Sequence, residues 1–557
     1  MRLGPAFRSR PQLSVEALVL CSAVFMMAAG NGRFWQAALA QRSWADPGTW
    51  GFSAALFVAL SALYLLAGAA VATRHTVKPL LTVLLLTSAA VACYSDRYAV
   101  YFDRAMLRNV LATDLHEARE LLGWPLALYL LGLGVLPSLL VWWPRLKRRP
   151  LRRALALRIA WLLGAAALAA GSLLLVFADF ASLMRNHKEV RYLITPGNVV
   201  AALAGNAWGG AQRAAGPRLP VGADAKFNAA WQQRDRPTLF VLVVGETARA
   251  QNFALNGYQR PTNPDLARRP VINFPRVTAC GTSTEVSLPC MFSPWGRSRY
   301  DEGLILGHES LLHVLARAGF QVQWRDNQSG CKGVCSDLPQ RQLNGADAPV
   351  SCAGGQCPDE VLLQGLEGTA RDEHGNLFIV LHQLGSHGPA YYKRYPAAFR
   401  RFTPACESED LRRCTREEIV NAYDNSLLYT DHVLGALIDL LERAQATHDT
   451  AMLYVSDHGE SLGESGLYLH GVPYPIAPDV QKRVPMVMWL SPAFRRSHDI
   501  DEACLRRRAA QPASHDNLFH SLLGVLDVQT AAYERDLDLF KGCRMPAALH
   551  AARATAP

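Results

Sequence analysis

The chain has 557 residues, of which 50% are hydrophobic and only 19% charged, with a formal net charge of +10. So much apolar material excludes a disordered or low-complexity chain, and the low charge points toward a membrane protein. The positive excess does not mark a nucleic-acid surface. Segments 1–12, 73–79 and 145–158 hold twelve Lys/Arg and no acidic residue, which leaves the rest of the chain close to neutral.

Five uncharged apolar runs occupy 17–32, 51–72, 79–95, 121–144 and 159–178. A bilayer core of about 30 Å takes about 20 helical residues. The first run reaches that length only by taking in Leu13 to Glu16, and the third by continuing to Tyr94 and Tyr98. The basic segments between runs set the orientation, since cytoplasmic loops are enriched in Lys and Arg. Five spans follow, with the N-terminus inside and everything after 179 outside. The expected organisation is a transmembrane domain (1–179), a connector along the membrane surface (180–235) and a soluble domain (236–557). The Gly- and Ala-rich stretch 205–222 suits a loop.

The cysteines test this topology independently. Of twelve, Cys21 and Cys93 lie in apolar runs and ten follow residue 279. Those ten fall into close pairs, Cys280/Cys290, Cys331/Cys335, Cys352/Cys357 and Cys406/Cys414. Cys504 and Cys543 remain, their pairing left open by spacing. On an oxidising side of the membrane they read as disulfides; zinc knuckles would need a reducing compartment.

After Pro237 short apolar strands alternate with helices. Strands are expected at 239–244, 322–325, 377–382, 452–455 and 485–490, and a helix at 415–445 opened by a Thr415/Glu418 capping box. The pattern predicts an α/β/α sandwich around a largely parallel sheet. Such folds bind ligands at the carboxyl ends of strands. Here those ends run into Gly245-Glu246-Thr247, Gly385-Ser386-His387-Gly388 and Ser456-Asp457-His458-Gly459-Glu460. Carboxylates with imidazole suit zinc, manganese being the alternative. The hydroxyl-rich Cys280–Cys290 segment enters a helix. It offers a nucleophile whose pKa a metal could lower, the plain alternative being that Ser283 or Thr284 is an N-cap.

At these residues the sequence resembles the membrane-bound phosphoethanolamine transferases of Gram-negative bacteria, which modify lipid A and include the mobile colistin-resistance enzymes. The resemblance spans nearly the whole chain and includes Asn327-Gln328-Ser329-Gly330-Cys331-Lys332 and Leu469-His470-Gly471. It implies an alkaline-phosphatase/sulfatase-type catalytic domain in the periplasm, a multi-pass inner-membrane anchor, and a monomer. Glu246, Thr284, Asp457 and His458 match the family's zinc site, with Thr284 as nucleophile. Ser329, Lys332, His387 and His470 match residues around the phosphate, and His387 and His470 could hold a second, weaker zinc. Asn109, Thr113 and Glu117 match a trio that holds the phosphatidylethanolamine donor, and their i, i+4, i+8 spacing predicts one helix face. Gln328 departs from the family's Asn, a change expected to leave Ser329 and Lys332 untouched. The reaction implied is transfer of phosphoethanolamine to a lipid A phosphate through a phosphothreonine, which lowers surface charge and confers polymyxin resistance. A core sugar is the alternative acceptor. A phosphoglycerol transferase of the same superfamily is the alternative enzyme, disfavoured by the ten outer cysteines and the Asn109 trio. A sulfatase lacks its Cys-x-Pro-Ser-Arg segment here, and a catalytically dead scaffold would have lost a ligand.

Overall fold

The computed structural model describes residues 10–113, 115–213, 218–229, 231, 234–343, 352 and 357–544. The chain forms two compact units, Met1–Leu107 with Leu122–Ala207, and Arg108–Leu121 with Trp208–Pro557. Within the stretch 180–235 the boundary falls between Ala207 and Trp208.

The first unit is helical. Pro47–Val71, Val77–Tyr98, Trp124–Trp142 and Leu151–Leu175 are each long and apolar enough to cross a membrane. Pro47–Val71 starts where chemistry dictates: Asp46 accepts a hydrogen bond from Gly48 N at 3.0 Å, and Pro47 sits in the first turn. The first expected span is shorter than the sequence suggests. Its helix covers only Val15–Ala29, capped by Ser14, and bends by 63° into Gly32–Ala38, so a fifth span exists only if the bent pair counts as one. Buried Asn31 explains the break. Its amide nitrogen donates to Met26 O and Thr195 O, both at 2.8 Å, and its oxygen accepts from Thr195 N at 2.8 Å. A side chain that engages these backbone groups ends the helical ladder. Helix Gly197–Arg213 runs through half of the stretch expected as a loop. Its glycines are outweighed by alanines, the best helix formers, and Val199 and Ala202 bury one side. Residues 214–217, and 1–9 of the first basic segment, lie outside the described residues.

The second unit is built on one sheet. Its strands are β1 (Thr238–Gly245), β2 (Ile272–Thr278), β3 (Gln321–Asp326), β4 (Gln340–Gln342), β5 (Leu377–His382), β6 (Asp449–Ser456), β7 (Arg483–Leu490) and β8 (Ala513–Ser514). The order is β8-β2-β7-β6-β1-β5-β3-β4, parallel throughout except for β7, which runs antiparallel to both neighbours. Alternation along β1 makes two cores. Leu239, Val241 and Val243 pack with Leu434, Leu437, Ile438 and Leu441 of helix Arg416–Ala444. Phe240, Leu242 and Val244 pack with Leu312 and Leu315 of helix Leu311–Ala318 and Leu522 of helix Asp516–Val525. A sheet covered by helices on both faces is the expected α/β/α sandwich. The capping box is present: Thr415 N donates to Glu418 Oε2 at 2.7 Å, and Glu418 N to Thr415 Oγ1 at 3.3 Å.

Strands β2, β4 and β8 escape the sequence reading. β4 and β8 are too short to show a period. β2 contains Pro275, which cannot donate to a ladder; the register with β7 shifts between Val484 and Met486, and β8 pairs only with Val277 and Thr278, past the proline. Disulfides join Cys280–Cys290, Cys331–Cys335, Cys352–Cys357, Cys406–Cys414 and Cys504–Cys543. Among the described residues Cys21 and Cys93 form no disulfide.

Candidate active site

Three strand ends and one helix start converge on the site. Glu246 follows β1, and Asp457 and His458 follow β6. Thr284 opens helix Thr284–Met291. Glu246, Asp457 and His458 are fully buried and Thr284 is 3% exposed. Gly385 brings the turn after β5 against this point. Its φ is +55°, and a Cβ there would lie 2.6 Å from Glu246 O, so no other residue fits.

Ser283 occupies the N-cap without a side-chain cap bond, so Thr284 is the first helical residue and its hydroxyl is not a cap. It turns instead into the acidic cluster, 3.1 and 3.0 Å from the two Glu246 oxygens and 3.3 Å from His458 Nε2. His458 Nε2 lies 3.3 Å from both Glu246 Oε1 and Asp457 Oδ2. The other ring nitrogen, Nδ1, is 2.9 Å from Gly459 O, which orients the ring. Asp457 Oδ1 accepts from His458 N at 2.7 Å and Thr247 N at 3.2 Å, while buried Oδ2 accepts no hydrogen bond.

The electrostatics call for a cation. Burial and the Glu246 charge push the Asp457 carboxyl up to about 6. Burial opposes the charged forms of Glu246 and His458 too. The hydrogen bond and charge of His458 overcome this and hold Glu246 well below the usual carboxylate range, while Asp457 and Glu246 lift His458 to about 10. Two buried carboxylates thus demand positive charge at Nε2, which a proton or a divalent cation can supply. Ligand atoms of Glu246, Asp457 and His458 lie within 4.8 Å of one another. With Thr284 Oγ1 they make a four-donor O/N set that fits zinc, and the orphaned Asp457 Oδ2 is the atom that most needs it.

Around this set, Lys332 (φ +48°) points Nζ at Ser329 Oγ, 2.7 Å away, and lies 4.0 Å from Glu285 Oε2. Gln328 proves central rather than neutral: its Nε2 donates to Glu246 Oε2 at 3.2 Å and its Oε1 accepts from Ser329 N and Oγ. The substitution therefore touches Ser329 directly and links it to Glu246. The His387 and His470 rings meet edge to face at 5.3 Å, and His470 lies 4.4 Å from His458. His470 Nδ1 is 3.4 Å from Glu460, and burial lowers His387 to about 3, leaving it neutral.

Two expectations change. Asn109 and Glu117 fall in two separately described helices. Helix Arg104–Ala112 ends before Thr113, and a second helix covers Leu115–Leu121. Thr113 Oγ1 donates back to Asn109 O at 2.7 Å, a bond that bends helices. Residue 114 and the Glu117 side chain lie outside the described residues. The second change is an addition. Buried His515 accepts from Cys280 N at 3.1 Å through Nδ1, and its Nε2 is 3.0 Å from Ser456 O. Burial lowers its pKa to about 4. A neutral ring therefore ties the nucleophile segment to the strand carrying Asp457. Ser287 reinforces the tie, its Oγ donating to Asp457 O at 2.5 Å. No spacing in the sequence marks either role; the Ser514-His515-Asp516-Asn517 run beside a short strand was the only hint.

Strand-end carboxylates facing a helix that opens on a hydroxyl suit a catalytic unit of sulfatase/alkaline-phosphatase type, and residues 238–528 match the Sulfatase family. Residues 58–207 match the family described as phosphoethanolamine transferase EptA/EptB. The chain is 42% identical over 470 residues to phosphoethanolamine transferase EptA of Escherichia coli strain K12, covering 84% of this chain and 86% of that one. It is 36% identical over 544 residues to phosphatidylethanolamine transferase Mcr-2 of Escherichia coli, covering 95% and 98%. The solved structure of the integral membrane lipooligosaccharide phosphoethanolamine transferase A of Neisseria meningitidis superposes with a TM-score of 0.91 at 37% identity, over 96% of this chain and all of that one. The chain belongs to the phosphoethanolamine transferase family.

Proposed function

We propose that the enzyme moves phosphoethanolamine from phosphatidylethanolamine to a lipid A phosphate at the periplasmic face of the inner membrane, with the N-terminus in the cytoplasm. The observation that carries this reading is the Thr284 hydroxyl within 3.3 Å of Glu246 and His458 at a helix N-terminus. Five disulfides in the second unit support an oxidising compartment.

In the first half-reaction Thr284 Oγ1 passes its proton to Glu246 Oε2, 3.0 Å away, and bonds to phosphorus, and the bond to the diacylglycerol oxygen breaks. That oxygen takes a proton, which we assign to His470, its Nδ1 beside Glu460. In the second, a lipid A phosphate oxygen bonds to the same phosphorus, its proton returning to His470, and Thr284 Oγ1 leaves, regaining its proton from Glu246. Lys332 offsets charge on the phosphoryl oxygens, held in place by Ser329. Zinc bound by Glu246, Thr284, Asp457 and His458 would supply the Lewis acid that lowers the hydroxyl pKa. The helix N-terminus adds partial positive charge for the phosphoryl group. Mass spectrometry of lipid A from cells expressing wild type or Thr284→Ala tests the proposal. Added phosphoethanolamine is expected only with wild type, and modification by Thr284→Ala overturns the mechanism.

A further inference from the structure

The segment Arg108–Leu121 interrupts the helical unit in sequence yet belongs to the catalytic unit. Two of its charged residues hold it there, one near each end. Arg108 pairs with Glu302, and its Nε lies 3.8 Å from Glu285 Oε1. Glu285 directly follows Thr284, and its second oxygen faces Lys332 Nζ at 4.0 Å. Near the other end, Glu120 Oε2 accepts from Arg394 Nη2 at 2.5 Å, and Oε1 lies 3.5 Å from Lys393 Nζ. Only 2% of either the Glu120 or the Arg394 side chain is accessible. Arg394 in turn donates through Nε to His387 O at 2.6 Å. One anchor therefore ends beside the nucleophile and the phosphate-facing lysine, the other on the backbone of His387.

An exposed ion pair rearranges at little cost, but a desolvated one fixes its geometry, because either partner alone is a buried, uncompensated charge. The residues assigned to the donor headgroup fall between the anchors. Asn109 adjoins Arg108, Thr113 lies just after the first helix, and Glu117 is on the same short helix as Glu120. Asn109 and Glu117 lie on separate helices, so tertiary contacts set where each one lies.

We propose that Arg108 and Glu120 are positioning residues that pin the headgroup-binding stretch to the catalytic unit and so fix the donor's amine relative to Thr284. Neither needs to touch substrate. The proposal rests on the phosphoethanolamine-transfer reading and deepens it.

The test uses full-length enzyme in detergent, fluorescent phosphatidylethanolamine as donor and lipid A as acceptor. Glu120→Gln keeps the shape and removes the charge. It is expected to raise the donor KM about tenfold with kcat within about twofold, the signature of lost binding common to ground and transition states. Zinc content is expected to match wild type; Tm is expected to fall, because Arg394 is left as a buried unpaired charge, so the split between KM and kcat carries the test. The double variant Glu120→Gln/Asn109→Ala is expected to be no worse than the more damaged single variant, because both remove one headgroup contact. Arg108→Gln tests the opposite anchor with the same expected split and decides the matter if Glu120→Gln does not fold. An unchanged KM with reduced kcat, or multiplicative effects with Asn109→Ala, overturns the proposal. If the transfer reading itself is wrong, wild type fails to use the donor, an outcome distinct from intact wild-type transfer with unaltered variants.

Discussion

The two units use the same apolar side chains for opposite ends. In β1 every residue is buried, and Leu239 through Val244 are at most 1% exposed. In Leu151–Leu175, by contrast, only 11% of the most apolar window is buried within the protein, although the helix is long enough to span a bilayer. Hydrophobicity marks the core in the catalytic unit and the lipid-facing surface in the helical one. An apolar run therefore predicts burial only once its solvent is known. The polar groups divide in the same way. Buried Asn31 of the first unit serves backbone geometry, whereas Glu246, Asp457 and His458 of the second gather at strand ends.

The sharpest way to break this comparison is at Thr284. Thr284→Ala removes the proposed nucleophile and is expected to abolish lipid modification and polymyxin protection in cells, while leaving Tm of the purified enzyme almost unchanged. Protection equal to wild type, read as inhibitory concentration, sinks the covalent route. Metal removal comes next. Strong chelation is expected to inactivate the enzyme, with zinc restoring it better than magnesium because His458 supplies a nitrogen ligand. Full activity of metal-free protein, checked by elemental analysis, contradicts the four-donor site.

Stability changes should separate the units. Ile379→Ala in β5, where the side chain is fully buried, is expected to cost about 2–5 kcal/mol, measured by denaturant unfolding of the catalytic unit. Leu163, 66% exposed on a membrane helix, gives the opposite case. Leu163→Ala exchanges one lipid-facing apolar group for a smaller one and is expected to shift Tm by less than a degree. A large loss there would mean that the face packs against protein. Among the disulfides, chain entropy ranks Cys504–Cys543, separated by 39 residues, above Cys331–Cys335, separated by 4. Replacing both cysteines with Ser is expected to cost about 4 kcal/mol for the long loop and about 2 kcal/mol for the short one. The smallest effect is a partial one. Asn109→Ala is expected to leave polymyxin protection between wild type and empty vector, as weaker donor binding would.

Much of this molecule is local in origin and therefore legible in the chain. Membrane helices announce themselves by length and charge, and β1, β5, β6 and β7 by continuous apolar runs. Glu246, Asp457 and His458 adjoin strand ends, and their residue types state the chemistry. A helix start after a hydroxyl-rich turn marked the segment, and only the family resemblance singled out Thr284. What the chain alone could not show depends on residues far apart. His515 acts across 235 residues on Cys280, and Gln328 across 82 on Glu246. Glu120 meets Arg394 across 274 residues. The kink at Asn31 likewise contradicts the local apolar pattern, because its side chain satisfies backbone groups that the pattern assigns to the helix. Periodicity reports which face of an element is apolar. Only the folded chain decides which partner that face, or a buried charge, will meet.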